Sequence, residues 1–455
     1  MRFHEQNGGS RGHHLLMIPH AALPHINPMV HLADKLSQHG VRCTVLSYDC
    51  LLQQIPREDL RDGVQLLGLP QDLTGYSKPE DLFYPPMVDS ERLRFVANAY
   101  IDRFVQDHDG SPPYTCLISD VLLPWTVDAA AKLNVPRYLL SPGSAFSFLM
   151  LHHVPLSNDA DDTNRIIQFP NMFPNGVSCD IFSVPPQFAM YTRRSILNAA
   201  GLLGNSFYEL ETCAIDELRR MEKKVYPVGP LESAVRVTKS FVGDSSMNFV
   251  SVNDECLDWL DRQTDNSVVY VNFGTTGFIR FNLKMVHELA QGLEASGAKF
   301  LWVLRPPPNL SSDELDQLLP SGFEERVKDR GLVSRGWAPQ LKILEHPSTA
   351  AFVMQAGWNS IMEAVARGVP IISWSTYADQ PANALYAAQI SKVGIQLPQG
   401  IVDRSAVETA IRTIMCSEEG KVLKENAQRL KLGAACATSP GGSSFQSLQD
   451  FITDL

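Results

Sequence analysis

Two doubly wound α/β domains facing each other across a cleft are what this sequence predicts. Three observations carry the prediction: apolar runs alternate with segments of helical spacing, the alternation restarts as a second complete set, and irregular sequence separates the two. The first run is HLLMI at 14–18. Residues 26–39 then place Ile26, Met29, Val30, Ala33 and Leu36 at helical spacing, and Gly40 ends that helix. A second apolar strand, VRCTVLSY at 41–48, follows at once, which is the rhythm of a parallel sheet covered by helices. The rhythm returns at 114–120 (YTCLISD), 125–134 and 135–142, and another strand–helix unit is expected at 201–211. Residues 225–250 have no period and many small polar residues, so they read as the linker. Beyond it come a short helix (DECLDWLDRQ), the strand SVVYVNFG at 267–274, a helix at 282–297, the strand KFLWVLR, and strand–helix alternation through VPIISWS at 369–375. The expected division is 1–240, 241–441 and a last helix at 442–455, which either stays with the second domain or crosses back to the first.

Composition narrows the function classes. At 455 residues, 44% hydrophobic and 20% charged, the chain is ordinary globular protein. Its 39 Lys and Arg against 50 Asp and Glu leave a net charge of −11, which repels a phosphate backbone, so nucleic acid is not an expected partner. The eight cysteines are scattered without metal-ligand or disulfide spacing and read as free thiols in a reducing compartment. The apolar run LLMIP is too short to span a bilayer or form a signal core. A soluble cytoplasmic monomer without membrane insertion is the expectation.

Residues 337–380 carry the chemistry: WAPQLKILEHPSTAAFVMQAGWNSIMEAVARGVPIISWSTYADQ. Gly357, Trp358, Asn359 and Ser360 lie where an apolar strand passes into a helix, and a helix N-terminus offers unpaired N–H groups to a phosphate. Asn359 and Ser360 add side-chain donors. The indole of Trp337, in a turn shared with Ala338, suits stacking on a flat base. Gln340 and Glu363 suit ribose hydroxyls, and the adjacent Asp379 and Gln380 can hold the vicinal hydroxyls of a hexose. Gly274 and Thr275 form a small-residue loop directly after a strand, where backbone donors approach a diphosphate. Read singly, Trp337 and Trp358 are equally well core aromatics, Gly357 a plain turn glycine, and Asp379 with Gln380 a solvated loop pair. On the other side of the cleft, His25 follows the first strand and can take up a hydroxyl proton near neutrality. Asp120, ending the strand YTCLISD, is placed to hold the tautomer of His25 and stabilise its imidazolium. His20 is the backup base.

The 337–380 segment resembles the donor-binding signature of plant family 1 UDP-sugar glycosyltransferases, whose pattern runs WAPQ, HCGWNS, E, GVP, W and DQ. The N-terminal half matches in order as well. The resemblance implies the GT-B fold, uracil stacking on Trp337, ribose contacts from Gln340 and Glu363, and phosphate contacts from Asn359 and Ser360. It also implies sugar contacts from Asp379 and Gln380, with Gln380 leaning toward glucose, and a His25–Asp120 catalytic pair. UDP-sugar would be the co-substrate and UDP the product, with no permanently bound cofactor and no metal. The chain departs from the pattern at Gln355, where most relatives carry a histidine near the diphosphate, and more mildly at Ala356, Ser375 and Pro24. A glutamine has no cationic form, which leaves the choice of donor sugar open. The segments VNFGTT, KFLWVLR and LPSGFEERV are similar to cytokinin-conjugating members.

The function implied is inverting transfer of a sugar, glucose first, to a hydroxyl of a small apolar plant metabolite. The acceptor pocket is expected among residues 83–87, 141–150 and 169–191, whose Phe, Tyr, Met and Pro content fits ordinary packing equally well. Alternatives are UDP-xylose, UDP-rhamnose or UDP-galactose as donor, an N- or C-glycoside as product, or a nucleotide-sugar-binding regulatory protein. A Rossmann oxidoreductase is disfavoured because neither half opens with GxGxxG.

Overall fold

The computed structural model describes residues 12–69, 93–102, 114–153, 166–178, 192–193, 195–221, 224–231, 249–274, 283–305, 317–335, 338–398 and 403–455. The first sheet is built from β1 (His14–Ile18), β2 (Arg42–Tyr48), β3 (Val64–Leu69), β4 (Cys116–Asp120) and β5 (Arg137–Ser141). After a small antiparallel hairpin, β6 (Ile166–Phe169) with β7 (Phe173–Ser178), it is completed by β8 (Gly201–Gly204) and β9 (Val225–Pro227). Its order is β3-β2-β1-β4-β5-β8-β9, parallel throughout. Parallel strands covered by helices on both faces bury every residue, which is why Leu15 to Ile18 form an unbroken apolar run at 0% exposure. Covering helices include α1 (Leu23–Ser37), α2 (Thr126–Leu133), α3 (Ala145–Leu151) and α4 (Tyr208–Arg220).

Two boundaries differ from the sequence-based expectation. The first helix begins at Leu23 rather than 26, with Pro24 in its opening turn. Proline suits that turn, where the N–H groups lack intrahelical partners, so His25 sits in the first turn of α1 and not in a preceding loop. Residues 225–227, expected in the linker, form the edge strand β9, and α5 (Phe249–Asp261) starts before the expected helix.

The second sheet has the order β12-β11-β10-β13-β14-β15, again all parallel. Its strands are β10 (Val268–Asn272), β11 (Lys299–Val303), β12 (Gly331–Ser334), β13 (Thr349–Met354), β14 (Ile371–Ser373) and β15 (Gly394–Gln396). The helices that matter to the site are α6 (Gln340–Glu345), α7 (Trp358–Arg367) and α8 (Gln380–Leu385). In α7 the buried positions Trp358, Ile361, Met362, Ala364 and Val365 follow the helical period, and Gly368 closes the helix at φ 74.

The chain ends with α9 (Glu418–Thr438) and α10 (Ser443–Thr453). The last helix packs on the first sheet: Phe451 is fully buried with ring centroids 5.0 Å from Tyr138 and 5.6 Å from Tyr226. Ser444 Oγ donates to Gly229 O at 2.6 Å, and Asp454 Oδ2 accepts from Lys224 Nζ at 2.9 Å and from the Tyr226 hydroxyl. Among the described residues no helix is long and apolar enough to cross a membrane.

Candidate active site

Each sheet reverses its strand order once: between β1 and β4 in the first, between β10 and β13 in the second. At such a point the loops after adjacent strands part and leave a crevice at the carboxyl ends. The first crevice is flanked by His20, by His25 in the first turn of α1 and by Asp120 at the end of β4; the loops at the second carry Gly274 and residues 355–357.

His25 Nδ1 lies 2.7 Å from Asp120 Oδ2, and the other Asp120 oxygen accepts the Leu122 backbone N–H at 2.9 Å. Burial alone would pull the imidazole down, but the charge and hydrogen bond of Asp120, reinforced by Asp379, outweigh it and hold His25 above the ordinary histidine value. Burial would likewise raise Asp120, yet His25 and the Leu122 N–H keep it below the usual carboxylate range. A carboxylate bonded to Nδ1 fixes the tautomer and leaves Nε2 as the basic nitrogen. His20 meets the His25 ring edge-on at a centroid distance of 5.1 Å, and burial, with His25 beside it, lowers it to about 4. His25, not His20, therefore holds the carboxylate.

On the second sheet, Gln340 is fixed at both ends of its amide. Its Oε1 accepts from Tyr270 OH at 3.3 Å and Asn272 Nδ2 at 2.9 Å, while Nε2 donates to Ser360 Oγ at 3.2 Å and Glu363 Oε2 at 2.6 Å. Gln340, Ser360 and Glu363, expected at ribose and phosphate, thus form one polar cluster. Ala338 turns into α6 through its carbonyl, which accepts from Gln340 N at 2.9 Å, and its methyl is buried. Asn272 Oδ1 also accepts the Gly274 N–H at 2.9 Å and shapes the loop after β10. Gly274 has φ 68, the left-handed region, and a Cβ there would sit 3.0 Å from Gln355 Nε2. The same amide lies 3.6 Å from where a Cβ on Gly357 would be. Gln355 is therefore wedged between the two loops expected to face the diphosphate, and its Oε1 is buried with no partner among the described residues. Thr275 and Trp337 lie outside the described residues.

Asp379 stands at the N-terminal boundary of α8, and its Oδ2 accepts from Asn383 Nδ2 at 2.9 Å; burial raises its carboxyl. Gln380 is buried and accepts the Thr376 N–H at 3.3 Å. Asp379 also faces the first domain, for a Cβ on Gly143 would lie 3.3 Å from its Oδ2. The two domains meet here through asparagines. Asn359 Nδ2 donates to the carbonyl of Pro24, next to His25, at 2.7 Å, and Asn359 Oδ1 accepts from Asn205 Nδ2 at 3.1 Å. Trp358 is buried at this junction and its indole N–H donates to Asn205 O at 2.7 Å. Both side chains thus stand at the domain interface, and Asn359 joins the N-terminal turn of α7 to the first turn of α1, which carries His25.

Sequence reasoning missed Asn205, Asn272 and Asn383. Each had a position to betray it: Asn205 follows the last residue of β8, Asn272 ends β10, and Asn383 stands four residues after Asp379, one helical turn away. Of the expected acceptor segments, 83–87 and 179–191 lie outside the described residues. Within 141–178, Phe146 is fully buried and its ring packs against Phe169, Phe173 and Tyr386 at 5.1 to 5.8 Å. Those aromatics are core, as the plainer of the two readings had it.

Residues 234–432 match the family described as UDP-glucoronosyl and UDP-glucosyl transferase. Over 97% of its length the chain is 32% identical to the scopoletin glucosyltransferase of Nicotiana tabacum, covering 98% of that protein. It is 29% identical, over 97% of its length and 96% of the other, to a UDP-glucose flavonoid 3-O-glucosyltransferase of Fragaria ananassa. Among solved structures, Phytolacca americana UGT2 complexed with UDP-2fluoro-glucose and pterostilbene superposes with a TM-score of 0.79 at 27% identity, over 97% of this chain and 99% of that one. The chain belongs to the UDP-glucoronosyl and UDP-glucosyl transferase family and has its two-domain GT-B fold. It is a glycosyltransferase that moves sugar from a UDP-sugar to a small molecule, with UDP-sugar as co-substrate rather than a resident cofactor.

Proposed function

We propose that the chain transfers glucose, with inversion, from UDP-glucose to a hydroxyl of a flat phenolic metabolite. The observation that carries this reading is the His25–Asp120 pair at 2.7 Å, placed where Asp379 of the other domain bears on it electrostatically. A base and a sugar-binding carboxylate on opposite walls of one cleft are the two groups a direct displacement needs. His25 Nε2 takes the acceptor's hydroxyl proton as its oxygen attacks the anomeric carbon. The bond from that carbon to the UDP oxygen breaks on the opposite face, giving a β-glycoside from an α-linked donor and leaving UDP. Asp120 steadies the imidazolium, and donors near Gly274, Gln355 and Ser360 offset charge growing on the leaving phosphate.

In this reading residues 1–240 bind the acceptor and 241–441 the donor, with 442–455 bracing the first domain. Trp337 and Ala338 take the uracil, Gln340 and Glu363 the ribose, Gly274, Thr275, Gly357, Asn359 and Ser360 the diphosphate, and Asp379 with Gln380 the sugar. Trp358 supports the turn. The phenolic class is supported by relatives named for scopoletin and flavonoids and by the pterostilbene complex; cytokinins belong in the same acceptor panel. The chain is read as a cytoplasmic monomer.

The test is mass-spectrometric detection of product from purified protein with a panel of UDP-sugars and of phenolic, cytokinin and terpenoid acceptors. A glucoside is expected from UDP-glucose and a phenolic, and His25→Ala is expected to lower its rate by about 10²-fold or more. No product from any pair while UDP still binds, or undiminished product from the variant, overturns the reading.

A further inference from the structure

Asn383 is completely buried in α8 and touches three parts of the molecule at once. Its Nδ2 donates to Asp379 Oδ2 at 2.9 Å and to the carbonyl of Ala356 at 3.2 Å. Its Oδ1 accepts from Ser144 Oγ, on the first domain, at 2.6 Å. Each contact has a structural consequence. Ala356 sits between Gln355 and Gly357 at φ 64, a left-handed conformation that is strained for a residue with a Cβ and persists only when neighbours hold it. The Asp379 carboxylate, at the head of α8, is tied to a side chain one helical turn along. Ser144 is held from its own side, since its Oγ caps α3 by accepting from Ser147 N at 2.9 Å. The Glu211 carboxylate takes the next two N–H groups, Ala145 at 2.9 Å and Phe146 at 3.0 Å. The serine is therefore a fixed point, and its hydroxyl proton determines which end of the Asn383 amide faces the donor loops.

We propose that Asn383 is a positioning residue that aims the Asp379 carboxylate at the sugar end of the donor, in a register set by Ser144 across the domain interface. This rests on the reading of Asp379 as a sugar-binding group. Truncating Asn383 leaves the uracil and ribose cluster around Gln340 intact, so the larger loss is expected for the sugar-bearing donor.

The test compares UDP and UDP-glucose on the full-length enzyme, with UDP scored as a competitive inhibitor and UDP-glucose by kcat/KM. Asn383→Ala is expected to leave UDP inhibition within about twofold while kcat/KM for UDP-glucose falls on the order of 10²-fold, the cost of an ångström-scale misplacement. Ser144→Ala is expected to show the same pattern more weakly, and Ser144→Thr, which keeps the hydroxyl, to restore activity. Equal losses for UDP and UDP-glucose, or wild-type kcat/KM in both alanine variants, overturn the proposal. Asp379→Ala separates the two ideas: wild-type kinetics there would remove the sugar-binding reading itself, whereas a crippled Asp379→Ala beside an unaffected Asn383→Ala would remove only the role of Asn383. Should Asn383→Ala fail to fold, Ser144→Ala and Ser144→Thr decide.

Discussion

His25 can act as a base only while it is neutral, and Asp120 holds its proton affinity above the ordinary value. Activity is therefore expected to rise with pH through a limb that lies above the unshifted histidine range. Asp120→Asn removes the charge while keeping an acceptor for Nδ1. The expected result is a fall in kcat of about 10²- to 10⁴-fold together with a shift of that limb to lower pH, because the imidazole loses its proton more readily. A pH–rate profile of kcat/KM for both proteins checks this, and an unmoved limb would assign it to another group. At this scale the sequence exposed Asp120 because it ends an apolar parallel strand, where charged side chains are rare, and His25 because it follows the first strand closely. Its blind spot was the asparagines, since a lone Asn carries no periodic signature and its partners lie 154 and 239 positions away.

Between elements, α3 and α4 are joined by a buried carboxyl. Glu211 is fully buried at a point where α4 leaves helical geometry (φ −124, ψ 34), and burial pushes its carboxyl from 4.5 up to about 7 despite two backbone N–H bonds. The folded state thus keeps a proton that the unfolded chain releases between those values. Stability contributed by this group is present below about 4.5 and is lost as pH rises toward 7, a change on the order of 3 kcal/mol. Denaturation midpoints measured from pH 4.5 to 8 are expected to show this decline, and Glu211→Gln to flatten it; an equal slope in the variant would assign it elsewhere. Helix α7 was legible in advance because its apolar positions keep the helical period. The start of α1 was not: the helical period shows only from Ile26, whereas Pro24 occupies an opening turn that needs no N–H.

At the scale of the whole molecule, the last helix belongs to the second half of the chain but fills the core of the first. Phe451, enclosed by Tyr138 and Tyr226, is expected to make Phe451→Ala cost about 3 to 5 kcal/mol, the penalty for truncating a buried aromatic. Urea unfolding followed by a probe in the first domain checks this, and a loss below about 1 kcal/mol would show that the helix is dispensable to that core. The return of α10 also ties the second half of the chain to the first domain, adding to the links made by Trp358, Asn359 and Asn383.

The sequence by itself determined the two parallel sheets and the strand-to-helix crossing at 357–360, and it singled out Gln340, Ser360 and Glu363, which the fold brings together. Strands buried on both faces must be apolar throughout, and small residues must follow them where a phosphate or a backbone comes close. Tertiary structure alone decided that the side chains of Trp358 and Asn359 face Asn205 and Pro24, that the aromatics of 146–173 are core, and that the final helix crosses back. Those outcomes depend on contacts between residues up to 410 positions apart, and no local pattern encodes which distant partner a buried polar group will find.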